Sequence, residues 1–277
     1  MAVIITSSMV LQTPAESGGT GQLPPFPLTH ARIGYQTICT ASNVVASSEA
    51  AGFPAEDATN IFTNEFWQPT ALPATWTCDA GNGVDTDYIG IAAHTLGSAN
   101  CSLTIEYSTD NSTWTELNAF LPKDNRPIML IYSTITARWW RFTLNGTTIP
   151  RIGVIYIGQA LQMQRPIYGG HAPLTLNRST TIYNQISEAG QFTARSIIRQ
   201  GNSTSFAWKN LTATWYREFF DPFVLAARRT PFFIAWRPAT FPEEVGFVWT
   251  GGDINPTNTG IKNYMEVSMT VSGVTDE

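Results

Sequence analysis

The run Ile152-Gly-Val-Ile-Tyr-Ile-Gly158 constrains this chain more than any other stretch, because it is apolar without alternation, of strand length, and bounded by glycines. Such a run is a strand covered on both faces, suited to closing a two-layer sandwich. Beyond it, Arg165-Pro166 and Gly169-Gly170 turn the chain and hand it over to a different pattern. That cut leaves an arm over residues 1–30, a β module over 31–160 and a second unit over 161–277.

Composition matters for what it excludes. With 277 residues the chain has room for two ordinary cores. Only 13% of residues are charged against 43% apolar, and 21 Gly and 17 Pro punctuate them, which favours many short strands. A net charge of −5 with no basic run lacks the Lys/Arg footprint that nucleic-acid binding needs. A quiet, aromatic-rich surface suits burial against other protein subunits. Cys39, Cys78 and Cys101 are odd in number and lack metal-ligand spacing, so reduced, packed thiols and folding in a cytosol are expected. No stretch approaches the ~20 apolar residues of a membrane span, and Met1 to Val10 lacks the basic start of a secretory signal.

In the arm, Val3, Ile4 and Ile5 precede a Gly- and Pro-rich tether that adds an edge strand, crosses to a neighbouring subunit, or stays loosely held. From Ile33 to Gly158 the period is two. Leu103, Ile105 and Tyr107 alternate with polar residues, as do Trp140, Phe142 and Leu144, while Tyr88–Ala92 is of the buried type. No useful helical period appears there, so a two-sheet sandwich is expected. In the second unit, Gln191–Ile198 and Thr204–Trp208 read as strands joined by a turn at Gln200–Ser203. Trp215, Phe219, Phe223 and Ala226 share one helical face, and Pro222 predicts a kink. Phe232–Trp236 and the alternating Met265, Val267, Met269 and Val271 complete a small β-barrel or sandwich with one packed helix. The fold class expected is mainly β.

Taken in order, five pieces carry a resemblance: Gly52–Ala58 leading to Thr63 and Trp67; Trp76–Gly81; Tyr107–Asp110 with Trp114; Ala137–Phe142; and the closing Ile152–Gly158 strand. Together they resemble a discoidin-type, galactose-binding-like jelly roll, a family also used as carbohydrate-binding modules. Where that family usually has an Asp-Gly pair in a loop that often holds structural calcium, this chain has Asn60-Ile61, so no metal or other cofactor is assigned. In the C-terminal half, Ile167–Gly170, Arg195–Gly201, Phe220–Phe223 and Phe233–Pro238 are similar to tail or baseplate components of long-tailed phages and prophages. That likeness implies a tail-tube-like β domain, a homo-oligomeric ring (hexamer or trimer), and tail-tube, hub and tail-tip proteins as partners. It also implies a place at the virion tail tip, with assembly in the host cytoplasm. Distal-tail proteins usually carry the ring domain first. The order here is reversed unless the first 30 residues return to the barrel and make the jelly roll an insertion.

Chemistry is sparse. His30, His94 and His171 are scattered, there is no Gly-x-Ser-x-Gly elbow and no phosphate-binding loop, and the carboxylates Asp79, Asp85, Asp87, Glu243, Glu244 and Asp253 read as solvated loop charges. Catalysis is not expected. Sugar sites pair an aromatic face with hydrogen-bonding side chains, which makes Trp67, Gln68, Asn111 and Trp114 the glycan candidates, with core packing the other reading of Trp67. Arg195, Arg199, Arg217, Arg228 and Arg237, interleaved with large aromatics, are the subunit-interface candidates. The leading expectation is a structural tail-tip ring component that displays its jelly roll. The alternative is an adhesion module that recognises host surface polysaccharide, and a polysaccharide-degrading enzyme comes third.

Overall fold

The computed structural model describes residues 2–5 (as backbone), 26–260 and 263–273. In chain order the strands are β1 (Ala2–Ile5), β2 (Arg32–Gly34), β3 (Val44–Ala46), β4 (Ala74–His94), β5 (Ser102–Ser108), β6 (Thr115–Phe120), β7 (Ile128–Asn145) and β8 (Ile152–Gly158). They continue as β9 (Leu161–Gln162), β10 (Ser179–Ile186), β11 (Phe192–Thr212), β12 (Phe232–Ala235), β13 (Val245–Thr250), β14 (Pro256–Asn258) and β15 (Tyr264–Gly273). The protein is mainly β, and the strands named here pair antiparallel apart from β1, which lies parallel to β7.

The first sheet has the order β3-β4-β7-β5-β6, with β1 added to β7 and β8 added to β4. Its two long strands make both layers of a jelly-roll sandwich. Residues Ala74–Asp79 of β4 pair with the C-terminal half of β7 in one layer, and Tyr88–Ile91 pair with Ile128–Ile131 in the other. Register shifts between Asp79 and Val84 and between Thr86 and Tyr88 mark the corner, since bulges bend and twist a strand. The core between the layers holds Trp76, Cys78, Leu103, Trp140 and Phe142 opposite Ile89, Ile91, Leu130, Ile155 and Ile157.

A second core explains why β8 is apolar throughout. From Val154 onward its side chains alternate between cores: Ile155 and Ile157 enter the sandwich, while Val154 and Tyr156 point out of it towards the second sheet. Tyr88, Ala92, Met129 and Ile131 join them there against Phe233, Phe247, Phe220 and Phe223. The two units therefore share a core. The contact is close enough to exclude side chains: a Cβ on Gly90 would stand 2.5 Å from the Phe233 ring, and one on Gly34 would stand 2.2 Å from the Tyr88 ring.

The second sheet runs β10-β11-β15-β13-β12-β2-β9, with β14 on β15. It is open, with β10 and β9 at its edges, so the barrel alternative does not form. The strand β2 lies between β12 and β9, antiparallel to both. Residues 32–34 thus belong to the second sheet and not to the 31–160 module, and strands β3–β8 of the sandwich lie between β2 and β9, with β1 joining them from ahead of β2. A strand of three residues is too short to carry a period of its own.

The helical segment comprises α1 (Ala213–Trp215), a π turn (Tyr216–Phe220) and α2 (Asp221–Ala227). Proline lacks an N–H and clashes with the carbonyl four residues back; the wider turn just before Pro222, where the Asp221 N–H bonds the Tyr216 carbonyl, accommodates it. The extra residue of that turn shifts the buried face. Trp215, Tyr216, Phe220, Phe223, Val224 and Ala227 are buried, whereas Phe219 is only partly so.

Candidate functional site

The strongest functional feature is a bare hairpin. The turn expected at Gln200–Ser203 does not occur; β11 runs straight through it, and the chain reverses instead at Ser187–Gly190, where Gly190 has φ +77°. A strand passes through Gly201-Asn202 because β11 changes partner there, from β10 (Ser179↔Gly201) to β15 (Asn202↔Gly273). Beyond that point, among the described residues, β10 and β11 pair only with each other. Phe192 to Gly201 reaches roughly 30 Å outward at about 3.4 Å per residue.

Every residue of β10, and of β11 as far as Gln200, is exposed. Among them are Ile182, Tyr183, Ile186, Phe192, Ile197 and Ile198, the last 69% exposed. Ile182 stands directly opposite Ile197, and Ile186 opposite Phe192. Among the described residues no third strand and no layer covers these strands, and a two-stranded hairpin is marginal by itself in water. The sequence reading missed β10 entirely; its signal was the β-branched run Thr180-Thr-Ile-Tyr.

The arginine candidates scatter. Arg195 lies on the hairpin, its Nε 2.8 Å from the Asn184 side-chain oxygen, and Arg199 is exposed nearby. A register shift between Thr181 and Ile182 bulges Ile198, so the simple alternation of 195, 197 and 199 is broken. Arg217 donates to its own helix at the Ala213 carbonyl (2.8 Å) and Arg228 pairs with Asp253 at 3.0 Å. Arg237 sits over the Trp236 ring at 5.7 Å.

The glycan candidates do not converge either. Trp67 is fully buried, its indole N–H donating to the Ser48 carbonyl and its backbone bridging Ile152, so it is a core residue and no platform. Gln68 packs beside it, with its backbone on Phe53 and Ala50. Asn111 is a left-handed turn residue (φ +59°) in the Asp110 turn, where the Asp110 carboxylate accepts the Ser112 and Thr113 N–H groups and is held well below the usual carboxylate range. Trp114 is half-buried under the Arg141 guanidinium at 4.0 Å, and Arg141 is clamped by Glu106 at 2.8 and 3.0 Å. In the loop where relatives often hold calcium, Asn60 bonds Glu65 (2.6 Å) and the Phe62 N–H (2.7 Å).

Several ionisable groups are committed to structure. Asp79 pairs with Arg138 at 2.6 Å, Asp85 accepts from Thr136, and Glu244 accepts from the Trp236 indole. Asp87 is partly buried where the sheets meet and accepts the Ala160 N–H (2.6 Å) beside Arg32; desolvation pushes it up to about 6. Arg32, also buried, is brought down to about 10 by desolvation and donates to the Phe26, Pro27 and His30 carbonyls. His94 is buried with Nε2 2.9 Å from the Arg126 carbonyl and Nδ1 3.3 Å from the Leu96 N–H; burial lowers it to about 4. Cys39, Cys78 and Cys101 are free, buried thiols. Among the described residues no His, Cys, Asp and Glu group is arranged to hold a metal, and no helix is long and apolar enough to cross a membrane.

No family model matches the chain, and no curated protein matches it. Solved structures resemble under half of it. Chitosan-binding module 1 of a chitosanase/glucanase from Paenibacillus sp. IK-5 is 18% identical with a TM-score of 0.39, over 44% of this chain and 98% of the module. A pectin-binding carbohydrate-binding module is 17% identical (TM-score 0.38; 44% and 91%). A Clostridium perfringens module in complex with GalNAc-β-1,3-galactose is 12% identical (TM-score 0.37; 42% and 93%). Scores of this size bear on neither ligand nor partner.

Proposed function

We propose that this protein is a structural subunit that assembles with copies of itself, its second sheet forming the ring and its sandwich displayed outward. The observation that carries the reading is the bare hairpin. Its arms supply on the order of 20 residues, what each partner brings to a standard interface, and their apolar side chains gain only when another chain covers them. A closed ring requires two unlike faces, and the hairpin would be one of them, received by a different surface of the next subunit. The sequence likeness of residues 161–277 to phage tail proteins supports a ring at the distal end of a long-tailed phage tail tube, as a hexamer or trimer, among tube, hub and tail-tip partners in the virion. Strand β2 lies ahead of β3–β8 in the chain and in the second sheet, so the ring domain draws on residues both before and after them.

The test is the mass of the purified full chain by light scattering across a concentration series, with Ile186→Asp/Ile198→Asp beside it. A discrete oligomer that the variant reduces to monomer supports the reading. A monomer at all concentrations overturns self-assembly. A second reading, a carbohydrate-binding adhesion module, draws on the half-buried Trp114 and Trp139 beside the Glu106–Arg141 pair on the sandwich's outer face. The likeness to binding modules, at TM-scores below 0.5, adds no weight to it.

A further inference from the structure

A cleft of about 1000 Å³ opens on the second unit, lined by Arg165, Tyr168, Lys209, Asn210, Thr259 and Tyr264 among others. Three local devices build it. The segment after Arg165-Pro166 is tied along β11 by the Tyr168 N–H on the Ala207 carbonyl (2.8 Å). A bulge in β11 between Trp208 and Leu211, with Asn210 at φ +59°, breaks the ladder to β15 at Lys209-Asn210, and bulges commonly re-aim side chains at sites. The turn from β14 to β15 is closed by Thr259, whose N–H (2.9 Å) and hydroxyl (3.1 Å) both reach the Tyr264 carbonyl.

The lining is positive in a chain whose net charge is −5. Among the described residues neither Arg165 nor Lys209 has a carboxylate partner: Arg165 Nε reaches only the Asn210 carbonyl (3.3 Å), and Lys209 Nζ lies 4.3 Å over the Tyr168 ring. A local positive field on an acidic molecule selects anions. Tyr264 stacks on no other described ring, and Tyr168 is 56% exposed, so the floor offers aromatic faces beside charge and neutral hydrogen-bonding groups. Two cations are too few for a nucleic-acid backbone. Aromatic faces with Asn and Thr, in a volume at the upper end of small-ligand sites, suit sugar rings better than an extended acidic peptide.

We infer that this cleft binds an acidic oligosaccharide, with Arg165 and Lys209 pairing uronate carboxylates and the tyrosines packing against pyranose faces. It is independent of the assembly reading, because the hairpin does not line it. The experiment is calorimetric titration of the full-length protein with trigalacturonate, with neutral maltotriose and triglutamate as comparators. Binding of trigalacturonate alone, weakened about tenfold by Lys209→Gln or by Arg165→Gln with unchanged melting and oligomeric mass, is expected. Absence of binding, equal binding of maltotriose, equal binding of triglutamate, or full retention in the double variant would each overturn it.

Discussion

Strand β8 and the β10–β11 hairpin both carry Ile and aromatic side chains on extended backbone, with opposite fates. Every residue of β8 is buried, whereas the hairpin is bare on both faces. β8 is unbroken in its apolarity, the hairpin interleaves Thr, Asn, Gln, Ser and Arg with its apolar residues, and the layers around the two differ as well. β8 has a core on each side, because the second sheet packs on the sandwich's back layer. The hairpin extends past the end of β15, where no strand among the described residues covers it. Apolar area buried inside one chain stabilises the fold; the same area left outside is available to association.

The comparison breaks most sharply if the hairpin proves structural within the monomer. Ile186→Asp/Ile198→Asp should weaken self-association by at least about 100-fold, read by light scattering, while the melting temperature of the monomer stays within about 2 °C. A large fall in melting temperature would show that the hairpin belongs to the fold after all. On the other side, Ile155→Ala should cost about 2–5 kcal/mol in denaturant unfolding, as a cavity left between two packed layers.

Acid should loosen the buried side and leave the hairpin alone. His94 is neutral in the fold, with Nε2–H donated and Nδ1 accepting, so protonation would cost the Leu96 bond as well as desolvation. Its folded pKa, about 4, lies below the ordinary 6.5. The unfolded chain therefore takes up the proton first, and this stabilisation, complete above pH 6.5, is lost as pH falls to 4. The loss amounts to about 3 kcal/mol and should be absent in His94→Gln, followed by denaturant titrations across that window. Gly90→Val drives a side chain into the Phe233 ring at the joint and should cost about 1–3 kcal/mol. Ile197→Ala, on the hairpin, should change monomer stability by under about 0.5 kcal/mol.

Much of the fold was legible from local pattern. Period-two alternation marked β5, β7 and β15, and unbroken apolarity marked β8, since burial on one face or on two writes itself directly into side-chain type. Local signals misled where partners changed. Gly201-Asn202 carries turn chemistry yet sits inside a strand, since two different neighbours hold the two halves of β11. Trp67 had two sequence readings, and the backbone bridge to Ile152 chose the core.

By itself, then, the sequence determined that the chain is mainly β, which strands are covered on both faces, and that a helix with a proline inside it lies in the second unit. Only the tertiary structure decided that β2 returns to the second sheet, that the two units share a core, and that the hairpin and the Arg165–Lys209 cleft face solvent. The reason is physical: side-chain period records how many faces of a strand are covered, whereas which segment covers them is settled by contacts between residues far apart in the chain.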